Sequence, residues 1–397
     1  MTDLETRVTP PGSATLRRAA PALLGYAAVR ALGLLALVLW SAARDKSAYP
    51  LLTARWDALW YTRVAELGYG YEVRLPNGDV HSNLAFFPLL PWLERLLHAV
   101  TPLSYADAGF VVSLLASFAA AWGVFAVADQ VYGRRAGVCA VLVWAVLPVG
   151  IVQSMAYSES LFTALAAWSL YAVLTGRWVT AGALASLAGL TRPVGLAVVS
   201  AVWTAAVLSF VRDRETSTAD APARRGAAAG ARIASRALAM LLAPLGVAGY
   251  VLWVGHHTGK GPLGYLDVQA GWRNGFDGGY AFARFVADKF TSFPSALAGV
   301  GLIVGVALLL WLYAVCVRQR QPLALLVYAG AVLALALCAS SYFGSKPRLL
   351  LPAFPLLLPL ALALARLRTS RSALVVGCLA AASAVYGAWW LNGSGPP

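Results

Sequence analysis

Residues 19–42 read AAPALLGYAAVRALGLLALVLWSA, an apolar run interrupted by one charge, Arg30. A membrane-spanning helix needs about 20 such residues, and the apolar core of a cleaved leader is shorter. The run therefore predicts a first span that stays in the membrane, with residues 1–18 as a cytoplasmic arm. Comparable runs recur at 107–129, 136–152, 159–175, 178–191, 194–211, 237–256, 295–316, 322–340, 348–365 and 372–391. Eleven spans are predicted, the fifth of them short. The runs are continuous rather than alternating, which excludes a β-barrel. The expected fold class is an all-α polytopic membrane protein: one transmembrane domain over 19–391 and a tail at 392–397.

Composition agrees. The chain is 60% hydrophobic and 12% charged, about half the charge of a soluble domain. Its net charge of +14 would point to nucleic acid in a soluble protein. Here the arginines crowd short connections between spans: Arg17 and Arg18, Arg134 and Arg135, Arg177, Arg318 and Arg320, Arg366, Arg368 and Arg371. That is the bias of cytoplasmic loops, and no nucleic-acid partner is expected. Cys139, Cys316, Cys338 and Cys378 lie in or beside apolar runs with neither disulfide nor zinc spacing, so they read as small packing residues. No metal or cofactor is expected. Only Lys46, Lys260, Lys289 and Lys346 are lysines among 31 basic residues; with so much Ala and Gly, this leans towards a GC-rich genome and a bacterial plasma membrane.

With the N-terminus inside, the arginine-rich stretch 212–236 is a flexible cytoplasmic loop. Residues 43–105 and 257–294 are external loops, and the turns at 153–159, 191–194 and 341–348 face the same way. The first external loop carries Arg55-Trp56-Asp57-Ala58-Leu59-Trp60-Tyr61. Trp56, Leu59, Trp60, Val64 and Leu67 recur at helical spacing, which predicts a short helix lying along the membrane surface. Asp57 falls in its first turn, where the helix dipole favours an ionised carboxylate able to accept a proton. On these residues alone, a plain helix-start role is equally open. A second amphipathic stretch runs from Phe86 to about Val100, and Phe282, Phe285, Val286, Phe290 and Phe293 form another interfacial stripe.

The outward polar residues include Asp57, Glu66, Asp79, His81, Tyr157, Ser158, Glu159, Arg192, Lys346 and Arg348. None of the 17 acids sits in the middle of an apolar run. An ion-coupled transporter would bury carboxylates at the bilayer midplane and show a repeated half, so a site at the membrane–water boundary fits better. Arg192 opposes the charge bias of an external turn, and with Lys346 and Arg348 it suits a phosphate at headgroup depth. Those last two would equally serve as anchors of a span end. The paired His256 and His257 lack partners at metal-ligand spacing. A lipid or solute transporter remains the alternative, and a non-catalytic scaffold would leave the aromatic and acidic insertion unexplained.

Five blocks appear in order: Arg55-Trp56-Asp57-Ala58-Leu59-Trp60-Tyr61, Phe86-Phe87-Pro88-Leu89-Leu90-Pro91, Ala156-Tyr157-Ser158-Glu159-Ser160-Leu161-Phe162, Thr191-Arg192-Pro193-Val194-Gly195 and Lys346-Pro347-Arg348. Together the chain resembles the PIG-V-like mannosyltransferases, bacterial relatives of GPI mannosyltransferase 2. The resemblance implies the glycosyltransferase-C fold, a catalytic aspartate at Asp57, a polyprenyl- or dolichyl-phosphate mannose donor and an α-mannoside product. Asp57 would be the general base, and Arg55, Trp56, Trp60, Tyr61, His81, Tyr157, Glu159, Arg192, Lys346 and Arg348 would bind substrates. The expected partners are a polyprenyl-phosphate sugar donor, a lipid or glycan acceptor and membrane lipids.

Overall fold

The computed structural model describes residues 16–217 and 226–395. Most of the arm at 1–18, residues 218–225 and the end of the tail at 396–397 lie outside them. The N-terminal third holds α1 (Leu16–Ala42), α2 (Ala48–Thr53), α3 (Asp57–Leu67), α4 (Leu89–Val100), α5 (Tyr105–Tyr132) and α6 (Arg134–Ala145). A short antiparallel hairpin, β1 (Glu72–Arg74) with β2 (Val80–Ser82), lies between α3 and α4. Then follow α7 (Ser158–Leu174), α8 (Trp178–Gly189), α9 (Gly195–Ser217), α10 (Gly226–Leu242) and α11 (Leu245–His257). The last part contains α12 (Gly264–Gly271), α13 (Tyr280–Asp288), α14 (Ser295–Arg318), α15 (Leu323–Cys338), α16 (Lys346–Leu349), α17 (Leu358–Arg366) and α18 (Thr369–Leu391). A two-residue ladder pairs β3 (Gly275–Phe276) with β4 (Ala339–Ser340).

The apolar runs fold mainly as helices, and the count of eleven spans is not confirmed. Among the described residues six helices are long and apolar enough to cross a membrane, or up to eight if each of two bent pairs is one span. The pairs are α6 with the 3₁₀ turn Pro148–Ser154, bent by 90°, and Phe343–Leu349 with Phe354–Arg366, bent by 74°. Proline is the cause at both. It offers no N–H to the preceding turn and its ring clashes there, and Pro148, Pro352 and Pro355 stand at the breaks. The helices α7, α8 and α15 are shorter apolar segments. Of the loop expected over 212–236, the described flanks are helical, since α9 continues to Ser217 and α10 starts at Gly226, while 218–225 lie outside the described residues. Ala-rich sequence has the highest intrinsic helix propensity, which outweighs the Gly content there.

The bundle is glued by small residues, as expected where lipid gives helices no hydrophobic drive to associate. A Cβ at Gly123 of α5 would stand 2.8 Å from Ala167 of α7, and one at Gly182 of α8 would stand 2.7 Å from the Ala239 backbone of α10. The core runs through Tyr26, stacked on Trp144 at 5.7 Å, and Trp144 Nε1 donates to the Leu351 carbonyl at 3.0 Å. That bond ties the two bent spans together.

At one end of the bundle the two long insertions meet. The helix predicted from the Trp-Asp block is α3, starting at Asp57 itself. The second amphipathic helix starts at Leu89 rather than Phe86, just after Pro88. The Tyr250 hydroxyl shares its one proton between the carbonyls of Leu84 and Phe86, Trp272 Nε1 donates to the Ser82 carbonyl, and Arg273 pairs with Asp79 at 2.6 Å. The β3–β4 ladder brings the 341–348 turn to the same end.

Candidate active site

Four separated segments deliver charged side chains to one place. Asp57 opens α3, and Tyr61 sits one helical turn later on the same face. Ser158 and Glu159 open α7, Arg192 lies in the turn between α8 and α9, and Arg348 lies on α16. Arg348 Nη2 is 2.8 Å from Asp57 Oδ2, and its Nε is 3.4 Å from Glu159 Oε1. Arg192 Nη1 is 2.7 Å from the same Glu159 oxygen and donates to Ser158 Oγ at 3.1 Å. Ser158 Oγ also shares a 2.7 Å hydrogen bond with the Tyr61 hydroxyl. The Arg348 guanidinium lies over the Tyr157 ring, 5.0 Å from its centroid.

Two carboxylates and two guanidiniums thus balance. Glu159 is the hub, its side chain only 2% exposed, while Asp57 is the most accessible member at 22%. A buried carboxylate is tolerated only when paired, and Glu159 also gains from the positive end of α7. Burial works against the charge on Arg192, but Glu159 outweighs it and the pKa is held above the ordinary value. Burial pushes the Tyr61 phenol up, so it stays protonated as a hydrogen-bonding group. Arg348 Nη1 is buried without a hydrogen-bond partner among the described residues. Such groups are rare in native folds, and a guanidinium with a free edge is suited to an anionic oxygen.

The approach to Asp57 is strained. Trp56 has φ 53° and ψ −126°, a positive-φ conformation that a bulky non-glycine residue rarely adopts. The Arg55 guanidinium lies 4.1 Å over the Trp56 ring centroid.

Of the predicted site residues, the structure brings together Asp57, Tyr61, Tyr157, Glu159, Arg192 and Arg348. It does not bring Lys346 among them. Lys346 Nζ donates to the carbonyls of Ala336 and Ala339 at 2.7 and 2.8 Å, capping α15. Trp60 and His81 belong to an aromatic cluster instead. Trp60 stacks on Phe86 at 5.6 Å and meets the edge of Trp272 at 4.9 Å, while His81 stacks on Trp272 at 4.0 Å. Burial lowers the His81 pKa and favours the neutral ring. Trp272 was invisible as a site element from sequence, because nothing local marks which distant loop it covers. Ser158 carried a signal, lying between two residues singled out in its block. Among the described residues no group of three or more His, Cys, Asp or Glu could hold a metal ion.

Residues 40–218 match the family profile described as Mannosyltransferase (PIG-V), so the resemblance read from the ordered blocks is borne out. No curated protein matches the chain. In structure the chain is similar to ArnT from Cupriavidus metallidurans in its apo state and bound to undecaprenyl phosphate. For each the TM-score is 0.50 at 16% identity, over 87% of this chain and 62% of that one. It also resembles the Archaeoglobus fulgidus oligosaccharyltransferase complexed with Zn and sulfate, with TM-score 0.46, 14% identity and coverage of 93% and 53%. The chain therefore spans less than two thirds of the length of these relatives. The likeness to ArnT bears out the expected fold, a multi-span glycosyltransferase-C-like helical bundle.

Proposed function

We propose that this chain is an integral membrane mannosyltransferase. It moves mannose from a polyprenyl-phosphate donor to a lipid-linked or cell-surface glycan acceptor, on the extracytoplasmic face of a bacterial plasma membrane. The observation that carries the reading is the convergence of Asp57, Glu159, Arg192 and Arg348 from four segments at one end of the bundle. The family match and the undecaprenyl phosphate held by the similarly folded ArnT support the donor class.

The chemistry follows from what these groups can do. Arg348, with its partnerless Nη1, and Arg192 would hold the donor phosphate and stabilise the charge that builds on it as the sugar leaves. As the phosphate draws Arg348 away from Asp57, the carboxylate becomes available to take the proton of the acceptor hydroxyl. That hydroxyl attacks the anomeric carbon from the face opposite the departing phosphate, so a β-linked donor gives an α product. Glu159 keeps both guanidiniums oriented while balancing their charge. Lys346 donates to two carbonyls at the end of α15, which suits anchoring that helix rather than binding the phosphate. The test is incubation of purified protein with polyprenyl-phosphate mannose and a lipid extract, with mass spectrometry of the lipids. Mannosylated product with wild type and none with Asp57→Asn is expected. No covalent product under any condition, with net movement of a lipid or solute instead, would replace this reading by a transporter.

A further inference from the structure

Arg30 is a charge inside the first span and takes no part in the proposed chemistry. It is 5% exposed, and its contacts among the described residues are carbonyls and a ring, with no carboxylate. An unpaired charge at that depth is unfavourable unless it does something specific. Its Nη2 donates to the Ala145 carbonyl and its Nη1 to the Gly150 carbonyl. These two carbonyls flank the 90° break between α6 and Pro148–Ser154.

The break frees carbonyls that a continuous helix would satisfy. Pro148 has no N–H to return to Trp144, and Gln153 Nε2 donates to that carbonyl instead at 2.9 Å. Ser383 of α18 donates to Leu147 at 2.7 Å. Arg30 holds the carbonyls of Ala145 and Gly150, and its positive charge faces the negative end of the α6 dipole. A Cβ at Gly150 would stand 2.9 Å from Arg30 Nη2 and 2.7 Å from the Ala145 oxygen, so only glycine admits the guanidinium there.

The segment held in this way runs directly into the charged cluster. Ala156 N donates to the Leu52 carbonyl at 2.9 Å, just upstream of Asp57, and Ser113 holds the Tyr157 carbonyl at 3.0 Å. Ser158 and Glu159 come next. We propose that Arg30 is a positioning residue: it clasps the broken α6 span in the bend that aims Tyr157, Ser158 and Glu159 at Arg192, Arg348 and Asp57. The inference rests on that cluster being the active site. Displacement of a positioned group by about 1 Å lowers a rate by up to about 10²-fold.

The test compares wild type, Arg30→Gln, Arg30→Lys and Gly150→Ala, with Ser169→Ala as a remote buried control, all as full-length protein in lipid nanodiscs. Two readouts are taken: amide hydrogen exchange by mass spectrometry, and mannose-transfer kinetics with polyprenyl-phosphate mannose. Arg30→Gln and Gly150→Ala are expected to speed exchange over 146–160 and 48–60 while leaving α14 unchanged. Their kcat should fall about 10- to 100-fold with donor KM within about threefold. Arg30→Lys should recover part of both, because it keeps the charge and one carbonyl contact. Unchanged exchange in a folded Arg30→Gln or Gly150→Ala protein overturns the proposal, as does faster exchange with unchanged kcat. If Arg30→Gln does not insert, Gly150→Ala decides, since it displaces the guanidinium without removing it. Absence of transfer in wild type would sink the functional reading alone, because the exchange data still test the clasp.

Discussion

Asp57→Asn separates catalysis from architecture most cleanly. Asn matches the carboxylate in size, can accept a hydrogen bond at a helix start, and cannot act as a base at neutral pH. A general base contributes roughly 10²- to 10⁴-fold in rate, or about 2.7–5.4 kcal/mol of barrier at ~1.36 kcal/mol per tenfold. The structural loss is smaller. Removing one partner from a fully buried ion pair costs about 3–5 kcal/mol, but Arg348 keeps Glu159 at 3.4 Å and Asp57 is 22% exposed. A net cost of about 1 kcal/mol is expected, comparable to one hydrogen bond. Donor binding should not weaken, because Arg348 no longer has Asp57 competing with the phosphate. The expected signature is kcat down at least 10²-fold with donor KM equal or lower, measured with purified protein and polyprenyl-phosphate mannose. Glu66→Gln and Asp79→Asn, in the same insertion, should stay near wild type. Near wild-type turnover by Asp57→Asn with failure of one control would move the base elsewhere in the loop. Activity in all three would refute the catalytic reading of the insertion.

Arg192→Lys keeps the charge but cannot meet Glu159 and Ser158 together as the guanidinium does; donor KM should rise about tenfold with normal insertion, as expected for losing one charge-assisted hydrogen bond. Unchanged donor dependence in the transfer assay would return Arg192 to a structural role. For topology, single cysteines replacing Gly278 and Ala228 in a background lacking the native four should differ: an impermeant thiol reagent on intact cells should label the first alone. The reverse pattern would overturn the assignment of the site to the external face. Glu94 of α4 is buried with neither carboxylate oxygen hydrogen-bonded among the described residues, and burial holds its pKa well above the ordinary 4.5. Its stabilising contribution is complete below that value and is lost as pH rises through the raised folded-state value. Glu94→Gln should therefore raise the thermal midpoint at pH 8 more than at pH 5; an equal shift at both would show that Glu94 is not protonated in the fold.

The membrane class, the helical runs and the helix opening at Asp57 were legible in the sequence because they depend on local composition and period. Twenty apolar residues must satisfy their backbone as a helix whatever lies beside them, and the Trp56–Leu67 stripe needs only the 3.6-residue repeat. The blocks around Asp57, Glu159, Arg192 and Arg348 could be picked out one by one. Which of them meet was not legible, because pairing across nearly 300 residues of chain is decided by how helices stack. Lys346 and Arg348 stand two residues apart in one block, yet α16 turns Arg348 to Asp57 and leaves Lys346 to cap α15. The bends inside two apolar runs escaped for a related reason. Hydropathy sums over a window and registers no direction, so the prolines at 148, 352 and 355 left the apolar runs intact while the chain turned by 90° and 74°. Only the tertiary structure decides such a break, because the carbonyls it frees must find donors on other helices, as Ala145 and Gly150 find Arg30.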